Sequence, residues 1–406
     1  MSSPTIELTV GPVAHGGHCV ARHEGRVVFV RHALPGERVR AVLTEAGDSA
    51  AFWRADAVEV LEPSPDRVES PWPEAGPGGV GGGELAHVAL GAQRRWKAEV
   101  VAEQLRRLAH LEAEVLVEAA PGESDGLGWR TRIELVADRE GRAGMHRSRS
   151  HDVLAITSMP LASAELDVGA LLARRWTPGA RLTAVAPVGG DAPLLLLDGL
   201  PFTDRGPDRR PTARHAVREV AEVSGRSYRW RVAGDGFWQV HRAAPTVLAQ
   251  AVVDAVGPRA GASVVDLYAG AGLFTVPLAD LVGPQGTVMS IEGDARAVKD
   301  ARRNVHQHPQ VALHLGPVAS VLASGVTQRA DVVVLDPPRV GAGRAVIDAV
   351  AGLRPERVVY VACDPAALAR DLAYLAGHGY ALTGLRALDL FPMTHHVECV
   401  AVVDRV

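Results

Sequence analysis

Lysine and cysteine are the scarce residues of this chain. Lys97 and Lys299 are the only lysines, and Cys19, Cys363 and Cys399 the only cysteines. Thiols so few and so scattered exclude a disulfide framework and a four-thiolate metal site, and no metal is expected. Aromatic residues make up 4% of the chain against 47% hydrophobic residues, so the core must be built from Val, Leu and Ala. No apolar run reaches the roughly 18 residues of a membrane span. Met1 to Val10 lacks the basic and hydrophobic regions of a secretory signal. The expectation is a cytoplasmic protein with no membrane partner. A formal charge of −4 surrounds the molecule with no field that attracts phosphate, so a nucleic-acid partner requires a local basic patch.

At 406 residues the length suggests two or three domains, and no internal repeat is evident. Short apolar stretches at Thr5 to Val10, Cys19 to Arg22, Val27 to Val30, Arg38 to Thr44 and Ala55 to Leu61 read as strands. They are separated by Gly16-Gly17, Glu24-Gly25 and Pro35-Gly36, the spacing of a small closed barrel of the oligonucleotide-binding kind. The run from Gly25 through Phe29 to Glu37 resembles a TRAM domain, a small RNA-binding barrel. Pro63, Pro65, Pro71, Pro73 and Pro77 with a glycine cluster then predict a linker or extended loop up to Gly83. A helix is expected from Gly91 to Ala109, with Trp96, Val100, Leu105 and Leu108 as its apolar stripe.

Trp129 to His151 alternates apolar and charged residues as a hairpin does. It carries Arg130, Arg132, Arg139, Arg142, Arg147 and Arg149, which on one face form a footprint for RNA phosphates and otherwise a solvated surface. Leu161 to Val232 reads as further α+β material without chemical motifs, and Gly206 to Arg214 as a loop. The expected division is a barrel over 1–62, a linker, helix and α+β RNA-binding domain over 63–232, and a doubly wound α/β domain over 233–406.

In that last part Ser263 to Tyr268 reads as a strand containing Asp266, and Gly270 and Gly272 open the helix that follows. Glycines there let the backbone approach a ligand closely. A dinucleotide fingerprint would place a third glycine where Thr275 stands, which disfavours nicotinamide binding. The next strand ends at Glu292, where an acid meets ribose hydroxyls. Acid, glycine loop and second acid look like the S-adenosylmethionine site of a class I methyltransferase. Asp331 to Leu335 runs into Asp336-Pro337-Pro338-Arg339, whose prolines fix the turn. Val358 to Ala362 is a buried strand ending at Cys363, and Phe391 to Glu398 leads into a final strand. A lone cysteine at a strand end is by itself an inert core residue as readily as a nucleophile.

With Phe237-Trp238-Gln239, Asp336-Pro337-Pro338-Arg339, Ala362-Cys363-Asp364-Pro365 and His396-Val397-Glu398 in this order, the chain resembles the RNA 5-methyluridine methyltransferase family along nearly its whole length. The resemblance implies Cys363 as a nucleophile for carbon 6 of uracil, Glu398 as the base that later removes the carbon 5 proton, and Asp336 with Arg339 as uracil contacts. It implies that Gln239, Tyr268, Glu292 and Asp336 line the methyl-donor site, joining Asp266, Gly270 and Gly272. Leu273 and Gly316-Pro317 depart from the polar residues of relatives. His395 and His396 read as packing or hydrogen-bonding residues. Relatives hold an iron-sulfur cluster on four cysteines, which Trp72, Val80, Gly83 and Met159 replace here, so no such cluster is expected. The expected partner is RNA, ribosomal ahead of transfer RNA because of the barrel, bound by a monomer. The alternatives are a catalytically silent RNA-binding factor on the same scaffold, and an amino-group methylase, which has no use for Cys363.

Overall fold

A computed structural model describes residues 5–47 and 50–406. The N-terminal strands β1 (Thr5–Ala14), β2 (His18–His23), β3 (Arg26–Arg31), β4 (Arg38–Glu45) and β5 (Phe52–Glu62) close into a barrel in the order β1-β2-β3-β5-β4. Alternation along β1, β3 and β4 turns Leu8, Val10, Val28, Val30, Val39 and Ala41 into its core, each at most 3% exposed. Closure removes the exposed edges that so short a sheet would otherwise present.

The segment after β5 is not a slack linker. Its prolines and glycines do prevent a repeating hydrogen-bond pattern, leaving one 3-10 turn at Pro73–Ala75, but they do not prevent burial. Trp72, Ala75 and Val80 sit in the core of the next domain. Helix α1 (Leu90–Gln104) continues into a π-helical turn over Leu105–Ala109. The wider turn carries Leu108 off the apolar stripe, and it is 41% exposed.

The central domain is a seven-stranded sheet built from β7 (Arg132–Ala137), β8 (Ala143–His146), β9 (Val153–Ala155), β10 (Arg181–Val185), β11 (Leu194–Leu197), β12 (Leu200–Thr203) and β13 (Gly206–Pro207), in the order β13-β12-β11-β10-β7-β8-β9, with α2 (Val168–Ala173) beside β8. Gly206 and Pro207 pair with Thr203 and Phe202, so the stretch expected as a loop begins with a short strand. The hairpin β14 (Ala216–Val223) and β15 (Arg226–Ala233) leaves this sheet and packs on helices α3 (Ala244–Val256) and α5 (Ala295–Asn304) of the C-terminal unit.

The C-terminal sheet joins β16 (Ser263–Leu267), β17 (Thr287–Glu292), β18 (Val311–Leu315), β19 (Val332–Leu335), β20 (Arg357–Ala362), β21 (Tyr380–Asp389) and β22 (Glu398–Arg405) to β6 (Val117–Ala119) from far upstream. Their order is β18-β17-β16-β19-β20-β22-β21-β6. The edge strand β6 comes from within 63–232, so this sheet is not confined to 233–406. Helices α3 and α4 (Thr275–Val282) cover one face, and α7 (Gly343–Gly352) and α8 (Pro365–Gly377) the other. Period-two alternation sends Val264, Val332 and Val359 to the first face and Val265, Val333 and Tyr360 to the second. The strand order reverses between β16 and β19, where open α/β sheets form their ligand crevice. No helix among the described residues is long and apolar enough to cross a membrane.

Candidate active site

The crevice at the β16/β19 switch opens into a cleft of about 1050 Å³. Its walls come from the glycine loop, the ends of β17, β19 and β20, the loop leading into β22 and the edge of the central sheet. The volume matches the upper range of small-molecule pockets and is sufficient for a nucleoside-sized cofactor beside an extruded base.

The glycine loop is pinned from three sides. Tyr268, Gly270 and Gly272 take left-handed conformations with φ of 61°, 56° and 91°, and the two glycines do so without strain. The Gly270 N–H donates to Glu292 Oε2 at 2.8 Å, the Trp230 indole N–H to the Gly272 carbonyl at 2.9 Å, and Asn304 Nδ2 to the Ala271 carbonyl at 2.9 Å. Thr275, which departs from a dinucleotide fingerprint, has a structural task here. Its hydroxyl donates to Asp266 Oδ2 at 2.5 Å. Asp266 is fully buried behind the loop and its Oδ1 has no partner among the described residues. Burial and the Glu292 carboxylate push its pKa up to about 7, against the Thr275 hydrogen bond.

The register of β22 on β20 sets the other half of the site. Ala362 pairs with Cys399 in an antiparallel ladder, so one step on along β20 and one step back along β22 Cys363 stands across from Glu398. Both line the cleft with Asp336 and Arg339. Cys363 is half-buried, whereas Cys19 and Cys399 are fully buried. Burial and the neighbouring Glu398 and Asp336 push the Cys363 thiol up to about 12, with Arg339 opposing. Glu398 is 3% exposed, and burial next to Asp336 holds its carboxyl well above the usual range. Asp336 rises to about 7 through burial and the charge of Asp266. These buried carboxyls disfavour one another's ionised forms, so a positively charged ligand would favour their ionisation. Arg339 Nη2 lies 3.2 Å from His396 Nε2. Burial and the neighbouring His395 and Arg339 keep His396 neutral, down to about 3, as an acceptor from arginine must be. Sequence reasoning gave His396 no specific partner, since the 57 residues separating it from Arg339 hide the contact.

Of the residues expected to hold a methyl donor, Gln239, Tyr268, Gly270, Glu292 and Asp336 line the cleft, whereas Asp266 and Gly272 lie behind its wall. Glu292 is already oriented, since its second oxygen accepts from the Asp294 N–H at 2.7 Å. Leu273 and Pro317 give the cleft apolar surface. A cationic nucleoside fits this arrangement of a pinned carboxylate, an open glycine turn and a carboxyl-rich wall. An iron-sulfur cluster does not. Trp72 and Val80 are 1% and 2% exposed and share a packed core with Met159. A Cβ on Gly83 would come within 2.7 Å of Ala75 Cβ and 3.1 Å of the Trp72 ring. An indole fills the space, and no thiol is present there.

The arginines of the β7–β8 hairpin do not share one face. Arg130 lines the cleft, its Nε donating to the Arg132 carbonyl at 3.0 Å. Arg132 points inward, 7% exposed, paired with Glu219 at 3.1 Å and donating to carbonyls of Ala233, Gly234 and Gly236. It ties the central sheet to the β14–β15 hairpin and is not available to phosphate. Arg142 is exposed but held by Asp138 at 2.7 Å, and Arg149 leans on His18 at 3.1 Å. Arg147 is exposed beside a separate, shallower pocket of about 550 Å³ that Arg139 and Arg142 also line.

Comparison with known proteins agrees with this geometry. Residues 326–406 match the tRNA (Uracil-5-)-methyltransferase family, residues 4–53 the TRAM domain and residues 244–353 the methyltransferase small domain. The chain is 45% identical to an uncharacterized RNA methyltransferase of Streptomyces avermitilis, over 98% of each chain. It is 42% identical to one of Bifidobacterium longum, over 98% of this chain and 96% of the other. Its fold matches the tRNA (uracil-54, C5)-methyltransferase of Pyrococcus abyssi, solved with S-adenosyl-L-homocysteine, with a TM-score of 0.67 at 20% identity over 97% of this chain and 99% of that one. The chain therefore belongs to the RNA (uracil-5)-methyltransferase family and carries that family's N-terminal TRAM domain.

Proposed function

We propose that this protein transfers a methyl group from S-adenosylmethionine to carbon 5 of a uridine in folded RNA, through a temporary bond between Cys363 and carbon 6. The observation that carries the reading is the ladder register that sets Cys363 across from Glu398, with Asp336 and Arg339 in the same cleft wall. Carbon 5 of uracil is a weak nucleophile. Addition of the Cys363 thiolate forms an S–C6 bond and moves the C5=C6 electron pair onto the ring as an enolate, whose oxygen faces Arg339. S-adenosylmethionine, when bound, supplies an electrophilic methyl group to that carbon. Glu398 then takes the carbon 5 proton, the C5=C6 bond re-forms and the S–C6 bond breaks, returning the Cys363 thiolate.

Two features prepare the chain for this sequence of steps. Burial beside Asp336 favours the neutral form of Glu398, and a bound cation favours the carboxylate that acts as base. Burial and the neighbouring carboxylates favour the neutral thiol of Cys363, whereas Arg339 and a bound cation favour the thiolate. The barrel is the ground for favouring ribosomal RNA, and covalent trapping decides between ribosomal and transfer RNA. The Pyrococcus abyssi tRNA enzyme shares the fold over 97% of this chain, barrel included.

The test uses total RNA from cells lacking the protein and grown with 5-fluorouracil, because fluorine cannot leave carbon 5 as a cation. Incubation with protein and S-adenosylmethionine should give a covalent protein–RNA band that Cys363→Ala abolishes. Sequencing the trapped RNA identifies it as ribosomal or transfer RNA. No band from wild-type protein that binds the donor by calorimetry overturns the reading. No donor binding at all favours the silent RNA-binding alternative, which the apolar Leu273 and Pro317 motivate.

A further inference from the structure

We propose that the barrel's β1–β2 turn, His15 to Gly17, is a positioning element of the catalytic site, acting on the nucleophile side through Asp364 and on the Arg339 side through His395. This rests on the reading of Cys363 as nucleophile given above, and it assigns the barrel a task besides holding RNA.

The turn reaches the C-terminal unit at two points. His15 Nε2 lies 3.0 Å from Asp364 Oδ2, across 349 residues of chain. Asp364 directly follows Cys363, and its other oxygen accepts the Ala367 N–H at 2.8 Å, capping helix α8. Both oxygens of this carboxylate are thus engaged, one by the helix and one by the barrel, and the end of β20 is fixed between them. The second point is Gly17, where φ is 75° and a Cβ would meet the His395 side chain at 3.2 Å. The rings of His395 and His396 lie 4.1 Å apart, and His396 accepts from Arg339. Glu84 Oε2 stands 3.7 Å from His395 on its other side. Two residues of a single turn, His15 and Gly17, therefore lie against the residue after the nucleophile and the residue before the partner of Arg339.

Charge gives the first contact a consequence for reactivity. The Asp364 carboxylate is among the groups that raise the Cys363 thiol. An imidazole bound to that carboxylate draws its charge away from the sulfur, most strongly when His15 is protonated, a state the pair itself favours. A turn that merely touched RNA would have no reason to satisfy this carboxylate, and a purely structural bond would leave thiol reactivity unchanged.

The experiment compares full-length wild type, His15→Ala, His15→Gln and Gly17→Ala. Alkylation of Cys363 by iodoacetamide at pH 7.5, without RNA, should slow about threefold in His15→Ala, the effect of one uncompensated nearby charge in a wet environment. His15→Gln, which still donates a hydrogen bond, should recover part of that rate. Trapping of 5-fluorouracil-grown total RNA should slow in His15→Ala and Gly17→Ala while filter-binding affinity for the same RNA stays within twofold. Unchanged alkylation and trapping in His15→Ala overturn the proposal, and so does a loss confined to RNA affinity. If wild type itself traps no RNA, the reading of Cys363 fails and this proposal with it. If wild type traps and His15→Ala traps equally fast, only the proposal fails.

Discussion

Replacing Glu398 by glutamine separates the two halves of the proposed reaction. Glu398 is 3% exposed and burial beside Asp336 favours its neutral form, so the neutral amide matches it in size and still hydrogen-bonds. Donor binding, RNA binding and addition of Cys363 should change by less than about tenfold. Release is different, since an amide cannot accept the carbon 5 proton. A positioned general base is worth about 10²- to 10⁴-fold, so turnover should fall by about a thousandfold. The covalent species, transient in wild type, should then outlive its formation and accumulate on ordinary uridine RNA. The assay is a denaturing gel of Glu398→Gln with total RNA from cells lacking the protein and S-adenosylmethionine. Mass spectrometry of the Cys363 peptide should show a methylated dihydrouridine attached to sulfur. Turnover within tenfold of wild type would refute the role of Glu398. A variant that binds donor and RNA yet never forms the adduct would refute the order of steps.

Other consequences follow from the same geometry. Thr275→Val removes the hydroxyl that donates to the buried Asp266, and denaturant titration should show a loss of about 1.5–3 kcal/mol at pH 8. The loss should shrink at pH 6, because a carboxyl with its pKa raised to about 7 is then mostly neutral. Asp336 shares that raised value, so affinity for S-adenosylmethionine should climb from pH 6 to pH 8 as the wall ionises, while affinity for the uncharged-sulfur product S-adenosylhomocysteine changes less. Equal pH profiles by calorimetry would show that the carboxyls do not face the sulfonium. Trp72→Ala should cost about 3–5 kcal/mol in denaturant titration, the range for emptying a buried indole site. Protein purified anaerobically should show no visible absorption band from iron, and such a band would contradict the packing around Gly83.

The site was legible in sequence wherever a motif sits at a strand end, because the residues that turn the chain there are also the ones the cleft uses. Gly270, Asp336 and Cys363 each follow an apolar run and precede a helix or turn, so composition alone placed them at one edge of a sheet. Arg132 shows the opposite case. Alternation predicted the β7–β8 hairpin, but charge suggested that its arginines face water, and the neutralising Glu219 lies 87 residues away. Trp72 escaped for a related reason. Proline and glycine correctly forbade regular structure around it, and nothing in that rule speaks to burial. The pairing of β6 with β21 spans 270 residues between Val117 and Ala387 and leaves no local periodicity to detect.

The loop from Asp389 to Glu398 makes these distant contacts a functional matter. It carries His396 and ends at the proposed base, yet it has little regular structure to hold its own shape. Met393 sits at φ 66°, a left-handed conformation that costs a side-chain-bearing residue about 1–3 kcal/mol and persists only when its surroundings enforce it. The enforcement comes from the N-terminal half. The Met393 N–H donates to Gln93 Oε1 at 2.8 Å, and the Met393 carbonyl accepts the Leu85 N–H at 2.9 Å. Lys97 donates to Asp389 Oδ1 at 2.5 Å and to the Phe391 carbonyl at 3.0 Å, and the side chains of this ion pair are wholly buried. A buried pair of that kind is a poor source of stability but a strong constraint on geometry, since moving either partner leaves a charge without its counterpart. Helix α1 thus fixes one end of the loop, and the barrel turn packs closely beside the other at His395. The β22 register sets Glu398 across from Cys363, while the shape of the loop that leads into it is held by chain about three hundred residues upstream, between the barrel and the central domain.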